Sequence, residues 1–534
     1  MSNTNATDLV YLKPNTKIEP LCYRWWAWPH LVSPAQQAFN IVHRLIPMLR
    51  SFIANPSVHV ATTRDPKFLC APFLHLKESD VPTIRALLDK MTAECSHLIH
   101  FADDFLKFER QLLDSAKGYS LDDFYDKLPP SLAGLIELTY DLNNHPHMRL
   151  IEELLYDQAL PNEAGQEFIF MNEPDNQRDF FLNTPRVDRP DRFVASIPFR
   201  DKRIDLVAAS RIKPTSFADL VEAFEVDADK IEVFRSFFTE SAPPRIFPNY
   251  QGDDVRLGYF GHACVLIQTA DVSILVDPMV AWQSDDAAAR LAFADLPDVI
   301  DYVFLTHNHQ DHFCPEVMLQ LRSRIGTVVV PRNNANTIAD PSLKLTLRHL
   351  GFDSVQVMDP LDEIALPHGR MTSLPFYGEH SDLSINSKHG MLLEIKDRRF
   401  AFLADANCTD RVLYRRLAER IGKVDALFIG MECHGAPLTW LYGVYMANAA
   451  LRKDDESRRL SGSNSDRAWA VVEELGCTRV YVYAMGQEPW LKHLLGLEYS
   501  PDSIQIVESN RFVQRCRDAG FISERLYGCQ EMMF

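Results

Sequence analysis

His307-Asn308-His309-Gln310-Asp311-His312 follows the apolar run Val303-Phe304-Leu305 and crowds three imidazoles and a carboxylate into six residues. A strand ending in a sharp turn can aim His307 and His309 at one metal, because alternate residues share a face. Asp311 and His312 then reach a second metal. Imidazole nitrogen and carboxylate oxygen suit zinc, iron and manganese alike, so the loop predicts a two-metal site without naming the metal. A merely solvated turn has no need of so many ligand side chains at such close spacing.

The loop resembles the HxHxDH signature of the metallo-β-lactamase superfamily. Its flanks agree: Arg256 to Gln268 and then Ser273 to Pro278 read as two strands joined by a polar turn, matching the opening hairpin of that fold. Asp277 and His262 stand where the superfamily often places residues that support the ligands, although an Asp-Pro pair at a strand end equally starts a turn.

At 534 residues the chain is too long for one core and should hold two or three domains. Its net charge of −18 argues against nucleic acid as a partner, since phosphate binding needs a dominant basic surface. No stretch reaches the length of a transmembrane helix, and Met1 to Asp8 lacks the basic start and apolar middle of a signal peptide, so no membrane association and a cytoplasmic location are expected. The ten cysteines are scattered singly without a CxxC pair, which suits a reducing compartment. Arg411, Arg415, Arg416 and Arg420 fall on one expected helix, with Arg452, Lys453, Arg458 and Arg459 near a polar loop. Each group reads as a solvated face or as a docking patch.

Residues 1–246 carry no metal-ligand cluster and read as a mostly helical domain. One helix should start at Ser33-Pro34 and be kinked or ended by Pro47. A second should run from Ser79 towards Phe105, and a third from Phe217 to Phe238 with a broad apolar stripe. The prolines of 240–250 mark the boundary to a domain spanning 247–534, where strands alternate with helices as an αββα sandwich requires. The run Ser461-Gly-Ser-Asn-Ser465 reads as a flexible loop.

Hydrolases of the superfamily add a bridging Asp, a third His on the first metal and a last His on the second. Asp405, ending the strand Phe400 to Ala404, matches the bridging position. Ala484 stands where the last His belongs. For the remaining ligand Glu379 and His380 compete, and in an extended chain only one of two neighbours enters the site. With Glu379 the set becomes His307, His309, Glu379 and Asp405 on one metal, and Asp311, His312 and Asp405 on the other. Hard anionic oxygens then favour iron or manganese over zinc. Glu432 follows a buried strand as a candidate catalytic or supporting carboxylate, with His434 as the alternative.

These changes, with the preceding helical domain, the spacing from His307 through Glu379 to Asp405 and the missing last His, resemble the CmlA-type diiron β-hydroxylases of nonribosomal peptide and antibiotic biosynthesis. The resemblance implies a monooxygenase with two iron ions that uses O2 and external electrons. Its substrate would be the Cβ of an aminoacyl group held as a thioester on a carrier domain, with Glu379, Asp405 and Glu432 in the catalytic set. It also implies a separate reductase as partner and a homodimer, with 1–246 serving dimerisation or substrate access. The carrier is expected to dock near the pocket mouth through Arg411, Arg415 or Arg458. The rival expectation is a dinuclear metallohydrolase acting on an ester, lactone or thioester, for which His380 would be the ligand.

Overall fold

The computed structural model describes residues 8–156, 160, 163–284, 289–334, 337–496 and 498–534. Two seven-stranded sheets form the C-terminal part. In the first, Val355–Met358, Ile325–Pro331, Ile300–Phe304 and Ser273–Val276 are parallel neighbours, and Val265–Gln268, Arg256–Tyr259 and Gln530–Met533 extend them antiparallel. In the second, four antiparallel strands from Glu363–Leu366 to Arg398–Phe402 are followed by the parallel strands Ala426–Gly430, Arg479–Tyr483 and Ile522–Arg525. Leu257, Ile267 and Phe304 of one sheet meet Met391, Phe402 and Phe428 of the other in a common core. Helices Arg411–Ile421, Ser465–Leu475 and Ile504–Asp518 cover the second sheet's outer face through Leu417, Val472 and Phe512. With Pro315–Leu321 and Leu343–His349 on the far side, the layers run α, β, β, α.

The expected hairpin forms between Val265–Gln268 and Ser273–Val276, but its first strand is split, with Arg256–Tyr259 as a separate strand before it. Gly261 at φ +100 and His262 at φ +52 break the run between Tyr259 and Val265 into a tight turn. Only glycine adopts such a φ as Gly261's without cost.

The N-terminal part adds sheets to the expected helices. A four-stranded sheet orders Trp25–Trp26, Thr16–Cys22, Gln166–Asn172 and Phe193–Ala195, and a three-stranded one is built on Leu9–Leu12. These strands lie far apart in sequence, so periodicity within a short window does not reveal them. Pro47 does not end its helix: a π-helical turn at Ile41–Leu45 precedes the missing N–H, and the helix resumes as Ile46–Ala54. The helix expected from Ser79 is two, Val81–Glu94 and Ser96–Ser115, parted at Cys95. The one expected over Phe217 to Phe238 is also two short helices, Phe217–Ala223 and Ile231–Arg235, with Glu225 at φ +49 between them. Its apolar stripe survives the break, since Phe224 and Phe234 pack on Phe170 and Phe193.

These apolar faces are used within the chain. Trp26, Phe39 and Phe101 share one continuous core with Val303, Leu305 and Met318, which flank the histidine-rich loop. The width of the stripes therefore gives no argument for a second copy. A buried ion network crosses the same contact: Arg178 pairs with Glu19 and, at 2.6 Å, with Glu316, while Arg186 holds Glu19 at 2.6 Å. Glu316 opens the helix that follows the metal loop and also accepts the Trp26 indole N–H at 2.7 Å. Arg178→Met leaves Glu316 without its cation in a buried place. The expected cost is about 3–5 kcal/mol, measured by denaturant titration, and a loss below about 1 kcal/mol would contradict this role.

Candidate metal centre

Asp277, His307, Asp405 and Ala484 all follow the carboxyl ends of parallel strands, where αβ sheets leave an open crevice. The backbone there is strained: Asp277 (φ 40), Glu379 (φ 67), Ala404 (φ 45) and Ala484 (φ 52) occupy the left-handed region without being glycine. Such conformations persist where surrounding contacts enforce them, and they gather at functional sites.

Hydrogen bonds fix which ring nitrogen each histidine offers. Asp277 receives the Thr306 hydroxyl at 2.6 Å and faces His312 Nδ1 at 2.8 Å. His312 Nδ1 must therefore carry a proton, which frees Nε2. That atom is buried without a hydrogen-bond partner, as is Asp405 Oδ1. Thr306 Oγ1, its own proton given to Asp277, accepts from His307 Nδ1 at 3.0 Å and so frees His307 Nε2. Tyr442 hydroxyl meets His309 Nε2 at 3.1 Å and leaves Nδ1 pointing at Glu379 Oε1, 3.2 Å away. Asp405 Oδ2 lies 2.9 Å from His312 Nε2 and 3.7 Å from His307 Nε2, between the two rings.

Three overlapping ligand groups result: His307, His309 and Glu379; His307, His312 and Asp405; and His262, Asp311 and His312. All six of the sequence-derived ligands are thus brought together and buried. Burial, with Asp405 and Asp311 nearby, pushes the Glu379 carboxyl well above its ordinary range. The Glu432 carboxyl is raised likewise by burial and by Glu379, Asp405 and Asp311. Burial drives His309 down to about 4, so its imidazole is neutral and able to ligate. Carboxylates crowded together in a buried place are what a pair of metal cations would relieve.

The Glu379 segment is not extended. Gly378 (φ 88), Glu379 (φ 67), Ser381 (φ 53) and Asp382 (φ 57) form a left-handed run, so strict alternation of neighbours does not hold. His380 is buried as well, its ring centroid 4.5 Å from that of His309 and its nitrogens without hydrogen-bond partners, yet it lies outside all three ligand groups. Glu432 and His434 line a cavity of about 270 Å³ over His309, Asp311, Glu379 and Asp405; His434 is exposed at its rim. Ser461 to Ser465 is no flexible loop: Ser463 and Ser465 are buried, and Ser461 carbonyl accepts from Glu379 N–H at 3.3 Å and from the Asn407 amide at 3.2 Å.

The chain's relatives decide what this centre serves. Residues 11–243 match the model of the diiron non-heme β-hydroxylase N-terminal domain, and 256–431 match the β-lactamase superfamily domain. The chain is 33% identical over 522 residues to the 4-amino-L-phenylalanyl-[CmlP-peptidyl-carrier-protein] 3-hydroxylase of Streptomyces venezuelae, covering 97% of this chain and 98% of that protein. It belongs to the diiron β-hydroxylases. The crystal structure of CmlA, a diiron β-hydroxylase from Streptomyces venezuelae, superposes with a TM-score of 0.92 at 32% identity over 98% of this chain and 99% of that one. A mutant form of CmlA gives 0.90, also at 32% identity, over 98% of this chain and 100% of that one. As a diiron β-hydroxylase, the protein has a donor set that fits iron: imidazole nitrogens together with carboxylate oxygens, two of whose buried atoms lack any other partner.

Several supporting residues of this hydroxylase carry no sequence signal of their own. Tyr442 lies on a short helix, Leu438–Tyr442, well outside the motif. Tyr483 hydroxyl holds the Ala404 N–H at 2.9 Å, and Lys388 Nζ holds the Gly378 carbonyl at 2.8 Å. His262 replaces no ligand: Gly486 N–H donates to its Nδ1 at 3.1 Å, which leaves Nε2–H to donate a hydrogen bond to Asp311, 3.1 Å away. It orients Asp311. His262→Phe should weaken retention of the second metal about 10–100-fold in a chelator competition, the usual loss for such partners. Unchanged retention would contradict the assignment.

Proposed function

We propose that this hydroxylase oxidises the Cβ of an aminoacyl group held as a thioester on the phosphopantetheine arm of a peptide synthetase carrier domain. The observation that carries this reading is the end-to-end relationship to the carrier-protein 3-hydroxylase, joined to three overlapping clusters of histidine and carboxylate side chains with Asp405 in the middle one. His307, His309, Glu379 and Asp405 would hold one iron, and Asp311, His312 and Asp405 the other. When bound, the iron pair supplies reduction of O2 and insertion of one oxygen atom into a C–H bond. The balance is one C–H, one O2, two electrons and two protons giving one C–OH and one water, so a separate reductase is required.

The chain's own side chains position the reactants. Ala484 donates its N–H to the His262 carbonyl at 2.9 Å and brings only a methyl group to the end of its strand. Trp440, Leu441, Leu460 and Leu495 form the apolar wall of the cavity and exclude water from the amino acid's side chain. Glu432, whose carboxyl is pushed upward by burial and by Glu379, Asp405 and Asp311, lines the same space. Residues 1–246 shape the entrance, while 247–534 carry the metals. Arg411 and Arg415 are a poor carrier dock, because both pair with Glu474 and Arg411 also pairs with Glu473. Arg458 donates to the Ser381 carbonyl at 2.9 Å.

A tether supplies effective concentration and fixes which C–H faces the metals, so the site need bind the free amino acid only weakly. With reductant and O2, hydroxylated product should form from aminoacyl-carrier at least about 100-fold faster than from the same free amino acid at equal concentration. Comparable turnover of the free amino acid would reject the tethered reading.

A further inference from the structure

A second cleft, of about 810 Å³, lies against the metal cavity, and Cys70 and Trp440 line both. Its walls come from helices and loops of the N-terminal part and from 439–449 of the metal domain. Among the described residues its lining holds three basic side chains, His43, Arg44 and Arg110, and no carboxylate, in a chain of net charge −18. Two of the three sit on the π-helical turn Ile41–Leu45. Such a turn costs regular hydrogen bonding and recurs at functional positions.

The basic groups are held in place with donors to spare. Arg44 Nη2 donates to the Trp440 carbonyl at 2.6 Å, while its Nη1 is buried with no hydrogen-bond partner. His43 Nε2 is buried and unpartnered as well. A buried guanidinium N–H needs an acceptor, and the cleft is the space from which one can arrive. Arg110 is exposed and anchored by its Nε to the Ala447 carbonyl at 2.5 Å, so it marks the outer end as Trp440 and Cys70 mark the inner one. Met48 and Leu106 supply apolar wall between them, and Ser51, Asn183 and Thr439 supply neutral polar groups.

We propose that this cleft holds the phosphopantetheine arm of the carrier, with the phosphodiester at Arg110 and an arm carbonyl at Arg44 Nη1, so that the thioester passes Trp440 into the metal cavity. The occupant follows from the lining. A slender chain with amides, a hydroxyl and apolar methyl groups suits walls that alternate apolar and neutral polar, and a single terminal anion suits an exposed guanidinium. A peptide strand would bring no anion to that end, and an acidic ligand would not need the apolar middle. The inference rests on the carrier-tethered reading, and it moves the entrance away from Arg411 and Arg415.

The test is calorimetric titration of the full-length protein with 4′-phosphopantetheine and with pantetheine, beside steady-state hydroxylation of aminoacyl-carrier. Arg110→Glu should weaken phosphopantetheine at least about tenfold and leave pantetheine within about twofold, as expected when one charge-assisted contact is lost. Met48→Trp, which fills the cleft, should weaken both, and both variants should raise KM for aminoacyl-carrier. Absence of phosphopantetheine binding to the unaltered protein, or binding and KM indifferent to both variants, would overturn the cleft assignment while hydroxylation by the unaltered protein left the carrier reading standing. Failure of the unaltered protein to hydroxylate any aminoacyl-carrier, with phosphopantetheine still bound at Arg110, would instead count against the carrier reading.

Discussion

Asp405→Ala should yield a folded protein that retains less than about one iron per chain where the unaltered protein holds about two, with hydroxylation reduced by more than about 100-fold. Asp405 Oδ2 lies 2.9 Å from His312 Nε2 and 3.7 Å from His307 Nε2, so its loss removes the carboxylate that faces a histidine of each proposed iron position. It also leaves the free Nε2 of His312 without the carboxylate that faces it. Folding should survive, because Ala404 is held independently by the Tyr483 hydroxyl and the residue at 405 follows the strand instead of building it. Iron content by elemental analysis and the near-ultraviolet absorption of the oxidised protein are the readouts. A variant that keeps both irons would remove Asp405 from the bridging position.

Replacement at Glu379 and His380 should separate a ligand from its neighbour. Glu379 Oε1 is 3.2 Å from His309 Nδ1 and belongs to a ligand group, whereas His380 packs beside the His309 ring without joining one. Glu379→Ala should therefore cost at least about 100-fold in iron affinity or turnover, and His380→Ala no more than about tenfold. The reverse order would make His380 the ligand and give the first metal an all-imidazole set with one shared carboxylate, the donor balance of a hydrolase.

How much of this was legible in the sequence follows from what each feature depends on. The loop from His307 to His312 is local, so its spacing alone announced two metals. Asp405 and the substitution by Ala484 were readable because each ends a buried strand, and buried parallel strands are written as unbroken apolar runs such as Phe400 to Leu403 and Val480 to Tyr483. The choice at Glu379 could not be made by alternation, since Gly378 throws the following residues into left-handed backbone. The N-terminal strands, the π-turn around Arg44 and the supporting Tyr442 and Lys388 depend on partners hundreds or tens of residues away. No window of sequence carries that information. The ion pairs of Arg411 and Arg415 were hidden for the same reason: their glutamate partners lie on a different helix, Ser465–Leu475.

The most direct test of the account is mass spectrometry of the carrier-bound amino acid after a reaction run under isotopically heavy O2 in ordinary water, with a supplied reductant. The account predicts a product that remains on its thioester and carries one heavy oxygen at Cβ. A released, unhydroxylated acid whose new carboxyl oxygen comes from water would contradict it and show thioester hydrolysis in place of oxygen insertion.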